Sequence, residues 1–157
     1  MANSIRHNIM VSVVSSLTRI TSTNGYQSTV ASVSENIKHY EQVTQNQFPA
    51  VFPIDTNEDR QSFSFPRTSS SQDMKSTLTV LVTSFLFARG GVSTSARSNL
   101  LMDIEKAMMN ATAMTTTAGI LDIRPGKVTT DQGTVENYSI HDQEFQIDYL
   151  YNHADGG

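Results

Sequence analysis

The chain has 157 residues, 38% of them hydrophobic, enough for one domain with a real core and too few for two comfortable ones. Its 15 acidic and 11 basic residues leave a formal charge of −4, which disfavours sequence-independent nucleic-acid binding, because that needs a dense cationic face to displace phosphate counterions. The absence of cysteine excludes disulfides, thiolate nucleophiles and Cys-based zinc or iron–sulfur sites.

Ile5, Ile9, Val13 and Leu17 recur every four residues and Met10, Val14 and Ile20 widen the stripe, which predicts an amphipathic helix capped by Asn3 or Ser4. Arg6 and Arg19 without any acid invite a targeting interpretation, but Ser12, Ser15 and Ser16 break the apolar run that a secretory signal requires. The helix should end near Thr21–Gly25, where Asn24-Gly25 suits a left-handed stop. Between Gln27 and Gln47, the spacing of Val30, Val33, Ile37, Tyr40 and Val43 predicts a short helix around Ser34 to Thr44, with Ser34 as its cap. Phe48 to Ile54 reads as a short strand that Pro49 and Pro53 push to an edge, and Asp55 to Asp59 as a polar turn.

Gln61 to Arg67 alternates, with Phe63 and Phe65 opposite Ser62 and Ser64, as a half-buried strand does, and Thr68 to Asp73 is a low-complexity loop. Ser76 to Arg89 carries Leu78, Val80, Val82 and Leu86 on one side and Leu81, Phe85 and Phe87 on the other. That pattern predicts a central strand covered on both faces, by its own domain or by a neighbouring subunit. Gly90-Gly91 ends it, Thr94 or Ser95 can cap the next element, and Leu100, Leu101, Ile104, Ala107, Met108 and Ala111 mark a second amphipathic helix with Asp103 and Lys106 on its solvated side. After the Thr115–Thr117 stretch come Ile120, Asp122 and Arg124, a Pro125-Gly126 turn, a short segment at Val128 and a turn at Asp131–Gly133. The last segment alternates most clearly, with Phe145, Ile147, Tyr149 and Tyr151 facing one way and Glu144, Gln146 and Asp148 the other.

These elements predict a single domain over residues 1–157 of the α+β class, a mainly antiparallel sheet with two helices packed on one face. The longest apolar run, Leu78 to Ala88, is interrupted by Thr79, Thr83 and Ser84 and falls well short of the roughly 20 residues that span a bilayer, so a soluble protein with no membrane partner is expected.

Motifs that could carry chemistry are few. Asp55, Asn57 and Asp59 have the opening spacing of a calcium loop, but Arg60 replaces the turn glycine and Pro66 the bidentate glutamate, so a solvated turn is the simpler interpretation. Arg89 to Ser95 joins a strand to a helix through two glycines without the lysine or full spacing of a phosphate loop. His7, His39, His141 and His153 show no metal-ligand spacing, and His141-Asp142 is expected in a turn. A Ser-His-Asp triad built on His141 needs a deep pocket converging on that ring. The glycosylation sequons at Asn110 and Asn137 are expected by chance in so hydroxyl-rich a chain. The aromatic stripe Phe145, Tyr149 and Tyr151 suits the core side of a strand better than a ligand platform. No catalytic residue, cofactor or metal is therefore expected.

The order of features (the N-terminal amphipathic helix, Phe48 to Val51, a long hydrophobic strand, the Leu100–Met108 helix bearing Asp103, Val128 to Gly133 and the alternating strand Phe145 to Tyr151) resembles the tail terminator proteins of long-tailed bacteriophages. The resemblance spans about Ile5 to Tyr151 and rests on element order with short motifs. It implies a small sandwich that assembles as a homo-oligomer, a hexameric ring. Such a ring sits in the virion on the head-proximal end of the tail tube, stops addition of the tube protein and docks the head connector and neck proteins. A closing ring needs two different complementary patches per subunit. Arg89, Arg97, Asp103 and Asp122 are the charges expected to set register between neighbours, with apolar strand surface supplying most of the association energy. DNA would pass through the lumen without tight binding, as the net negative charge suits. A neck or tail-to-head joining protein is the alternative within the same assembly, and a small hydrolase or ligand-binding domain is the alternative from another class. Serine and threonine contribute 37 residues. Several clusters of them, Thr21–Thr23, Thr68–Ser71, Ser93–Ser95 and Thr115–Thr117, fall in expected loops or caps, where neutral hydroxyls could bond across an interface at less desolvation cost than charges.

Overall fold

The structure is a computed structural model that describes residues 4–62, 73–110, 119–131 and 135–152. Helix α1 spans Ile5–Thr18, followed by the two-residue strand β1, Ser32–Val33. Two long strands come next, β2 at Ala50–Ser62 and β3 at Asp73–Phe87, then helix α2 at Thr94–Asn110, and finally β4 at Ile120–Thr130 and β5 at Tyr138–Asn152. The sheet order is β1-β2-β3-β5-β4, antiparallel throughout except for the parallel β1–β2 pair. The expected α+β class and mainly antiparallel sheet are both present.

Both helices lie on one face of the sheet. From α1, Ile9, Met10, Val13 and Leu17 meet Leu100, Ile104, Ala107 and Met108 of α2 over a floor of Leu78, Val80, Val82, Phe145 and Ile147. The period-2 registers of β3 and β5 place Leu78 opposite Ile147 and Val80 opposite Phe145, so one continuous apolar stripe crosses both strands and floors the core. The Ser4 hydroxyl accepts the His7 N–H at 3.2 Å and starts α1, while Gly25, at φ +88°, follows the short 3-10 turn Ser22–Asn24 beyond its end.

Among the described residues, the second face is covered only at one end. There Phe52, Phe85, Ala50 and Val43 form a smaller cluster, joined by the half-buried Tyr40, Phe48 and Ile140. Tyr40 and Phe48 both reach Tyr138, with ring centroids 4.7 and 5.8 Å away. The cover comes from the chain itself, and among the described residues it encloses β3 on both sides toward its C-terminal part.

Several local expectations are corrected. Ser34 to Thr44 is not a helix: it holds the 3-10 turn Tyr40–Gln42, a second turn at Gln45–Gln47 follows, and the apolar residues there serve as a flap over the second face. Asp55 to Asp59 is not a turn but continuous β2, held by a ladder to β3 that runs to Ser62–Met74 with one bulge between Asp55 and Asn57. Pro125-Gly126 likewise stays inside β4, where the register shifts between Pro125 and Val128. A Cβ on Gly126 would lie 3.1 Å from the Glu144 carbonyl oxygen, so the glycine permits close approach of β5. His141-Asp142 lies within β5 rather than in a turn. Helix α2 is capped by Ser93, whose hydroxyl accepts the Ala96 N–H at 3.1 Å, rather than by Thr94 or Ser95. The expectations for Phe63, Phe65, Thr68–Ser71, Thr115–Thr117 and the end of the Asp131–Gly133 turn fall outside the described residues. Among the described residues, no helix is long and apolar enough to cross a membrane.

Candidate functional site

Asp103 was expected on the solvated side of α2, but it is only 3% exposed. It sits beneath the turn that follows α1 and accepts N–H bonds from Gln27 at 3.2 Å and Ser28 at 2.6 Å. One helical turn further on, Lys106 donates to the Gly25 carbonyl at 3.3 Å and lies 5.0 Å from the centre of the Tyr26 ring. Together the two residues clasp residues 25–28 to α2. The clasp bounds a groove of about 730 Å³ lined by Met102, Met109, Asn99 and Glu105. With both carboxylate oxygens engaged inside its own chain, Asp103 acts as an internal tether rather than a solvated side chain.

A second polar group lies in the helix-covered side of the sheet. His141 is fully buried, its Nδ1 3.0 Å from the Ser84 hydroxyl and its Nε2 2.6 Å from the Ser139 hydroxyl. Burial pushes the imidazole down to about 4, Arg97 adds to the depression, and Asp131 and Asp142 work the other way. A Ser-His pair at this distance has the outward form of a nucleophile and base, and a hollow of about 290 Å³ touches Ser139 beside Gly90, Gly91 and Arg97. The chemistry fails on three counts. The ring nitrogen that a carboxylate should orient faces Ser84 instead, and an imidazole at about 4 is a weak base at neutral pH. The two glycine amides that could stabilise an oxyanion are already given to Asn137 Oδ1 and the Ala88 carbonyl. The group is a hydrogen-bonded knot that satisfies buried polar atoms between β3 and β5.

The face without helices has a different character. On it, Asp148 accepts from Thr77 at 2.6 Å and is paired with Arg124, which also donates to Gln146 at 3.2 Å. Burial tends to raise the Asp148 carboxyl, yet the bonds from Thr77 and Arg124 outweigh it and hold the group below its ordinary range. Asp142 accepts from Thr83 at 2.8 Å. At the other side of the sheet, where β2 meets α1, Glu58 receives Tyr149, Arg60 and Arg6. Burial pushes the Tyr149 hydroxyl up to about 12, helped by its bond to Glu58. Burial opposes ionisation of Glu58 as well, but bonds from Tyr149, Arg60 and Ser76 prevail and lower it.

The other three charges expected to set register are dispersed. Arg89 is exposed where β3 ends, Arg97 is half-buried in the first turns of α2, and Asp122 lies on β4, accepting the Ile123 N–H at 2.9 Å with Arg124 3.8 Å away. The structure therefore brings none of the four together. Asp55, Asn57 and Asp59 lie along an extended strand, and among the described residues no three His, Asp or Glu side chains converge as metal ligands. Sequence reasoning missed the Ser84–His141–Ser139 knot, because its members come from two strands and meet only through register. The Lys106–Tyr26 contact was missed because α2 and the turn after α1 are far apart in the chain and meet only once it folds. A signal existed for the knot: Ser139 and His141 continue the alternation of Phe145 and Ile147 and so belong to the core side. No protein-family model matches the chain, and no curated protein matches it either.

Proposed function

We propose that the protein is a structural virion subunit of the tail-terminator kind. It forms a ring, a hexamer, on the head-proximal end of a phage tail tube, ends tube polymerisation and offers the docking surface for the head connector. The observation that carries this reading is the one-sided sandwich. Its helices close one face, while the other, among the described residues, presents Thr77, Thr79, Asp142, Glu144 and Gln146 from the two central strands, with Arg124 of β4 held by the nearly buried Asp148. A face of hydroxyls and carboxylates suits the wall of an aqueous channel through which DNA moves without sticking, since it offers phosphate few partners and repels its charge. The resemblance in element order supports the same reading.

The test is electron microscopy of particles assembled without this protein. Overlong tubes are the expected result. Tails of normal length detached from heads would replace the reading with the joining-protein alternative, and intact particles would remove both.

A further inference from the structure

The geometry points to Asn24 as a site of slow, spontaneous deamidation whose pace is set by the clasp that α2 places on the turn after α1. Of the chain's asparagines, Asn24 alone precedes a glycine. Residue 25 therefore brings no side chain to shield its nitrogen, and among the described residues nothing lies within 4 Å of where a Gly25 Cβ would sit. Asn24 is exposed to water, which the reaction consumes. The Gly25 nitrogen gives its proton to solvent base and attacks Asn24 Cγ. The Cγ–Nδ2 bond breaks, the side-chain nitrogen leaves with a proton as ammonia, and a cyclic imide closes. Water then opens the ring. Attack at Cγ leaves an aspartate on a normal backbone, and attack at the main-chain carbonyl carbon leaves an isoaspartyl linkage. The balance is a water taken up and an ammonia released, with nothing oxidised or reduced.

The fold holds both reacting groups back. Asn24 Nδ2 donates to the Arg19 carbonyl beyond the end of α1 at 2.9 Å, and the Gly25 N–H donates to the Ser22 carbonyl at 3.2 Å. Closing the imide requires both bonds to open, so conversion proceeds only from a locally opened turn. Lys106 donates to the Gly25 carbonyl and lies against the Tyr26 ring, while Asp103 accepts from the Gln27 and Ser28 N–H groups. Two residues of α2 thus fix the chain immediately after the reacting pair. The product works against this clasp. A carboxylate at position 24 cannot donate to Arg19, and it sits close to the carbonyl end of α1, where the helix carries partial negative charge. The isoaspartyl form also adds the side-chain methylene to the main chain beside the carbonyl that Lys106 holds. Conversion therefore loosens residues 25–28, and with them the wall of the groove that Gly25 and Gln27 share with Met102 and Met109.

Peptide mapping by mass spectrometry, with isoaspartate counted separately, tests this by following each asparagine while the protein stands in mildly alkaline buffer. Folded protein is compared with the same chain in denaturant, and with Asp103→Ala and Lys106→Met variants checked for folding by circular dichroism. Asn24 should convert ahead of the other asparagines in every sample. Its rate should be at least about tenfold lower in the folded protein than in denaturant, and several-fold higher in either clasp variant than in folded wild type. Lys106 is exposed, so Lys106→Met decides the matter if Asp103→Ala fails to fold. An Asn24→Asp variant should show faster amide exchange confined to residues 19–28. Equal rates in folded and denatured wild type would show that the fold does not guard the site. Unchanged rates in a folded clasp variant would place the guard elsewhere, and earlier conversion of another asparagine would move the site. Each of these overturns the inference, as would wild-type exchange in Asn24→Asp.

Discussion

The two faces of the sheet are built from alternate residues of the same strands, yet they differ in almost every physical respect. On the helix side, Leu78, Val80, Phe145 and Ile147 are sealed under α1 and α2, and among the polar residues admitted there Ser84 and Ser139 both bond His141. On the opposite side, threonines bond carboxylates, Thr77 with Asp148 and Thr83 with Asp142, and among the described residues apolar packing gathers where Tyr40 and Phe48 fold around Phe85. The difference teaches that a strand apolar on both sides, as β3 is from Leu81 to Phe87, need not be awaiting a partner subunit. Here much of the second cover is a flap from its own chain.

The largest effect should come from removing a central side chain on the sealed face. Phe145→Ala is expected to cost about 3–5 kcal/mol in denaturant unfolding, whereas Phe85→Ala under the flap should cost less, below about 3 kcal/mol, because its half-buried neighbours can settle into the gap. Equal losses would erase the distinction between the two clusters.

Next in size is the response to acid. His141 titrates near 4 when folded and near 6.5 when unfolded, so the unfolded chain binds more protons between those values. The stability this represents, roughly 3 kcal/mol, is present in full above pH 6.5 and is lost as pH falls toward 4. Chemical denaturation at a series of pH values should show that slope, and His141→Gln should flatten it. An unchanged slope in the variant would place the acid sensitivity in other groups.

The smallest of the three concerns the clasp. Asp103→Ala leaves the Gln27 and Ser28 N–H groups without their acceptor and is expected to cost about 1–3 kcal/mol, with faster amide exchange confined to that turn. Uniformly faster exchange across the helix layer would mean that Asp103 holds more than the loop.

Much of the fold was legible from local periodicity. The four-residue stripe of α1, the stripe of α2 and the alternation of Phe145 to Tyr151 each depend on which face a residue turns to the core, and that follows from 3.6- and 2-residue repeats alone. Two of the errors share one cause. Asp55 to Asp59 and Pro125-Gly126 have turn chemistry, but each is held extended by the long strand beside it, β3 in one case and β5 in the other. Tertiary pairing overrides local preference there.

The sequence by itself determined the class, the two helices, the core side of β5 and the absence of any cysteine chemistry, because these depend on composition and on contacts near in the chain. Only the tertiary structure decided that Asp103 is a buried tether, that His141 is locked between two serines, and that the flap covers Phe85. Each joins residues distant in sequence, and burial of a polar group is set by what packs over it rather than by its neighbours along the chain.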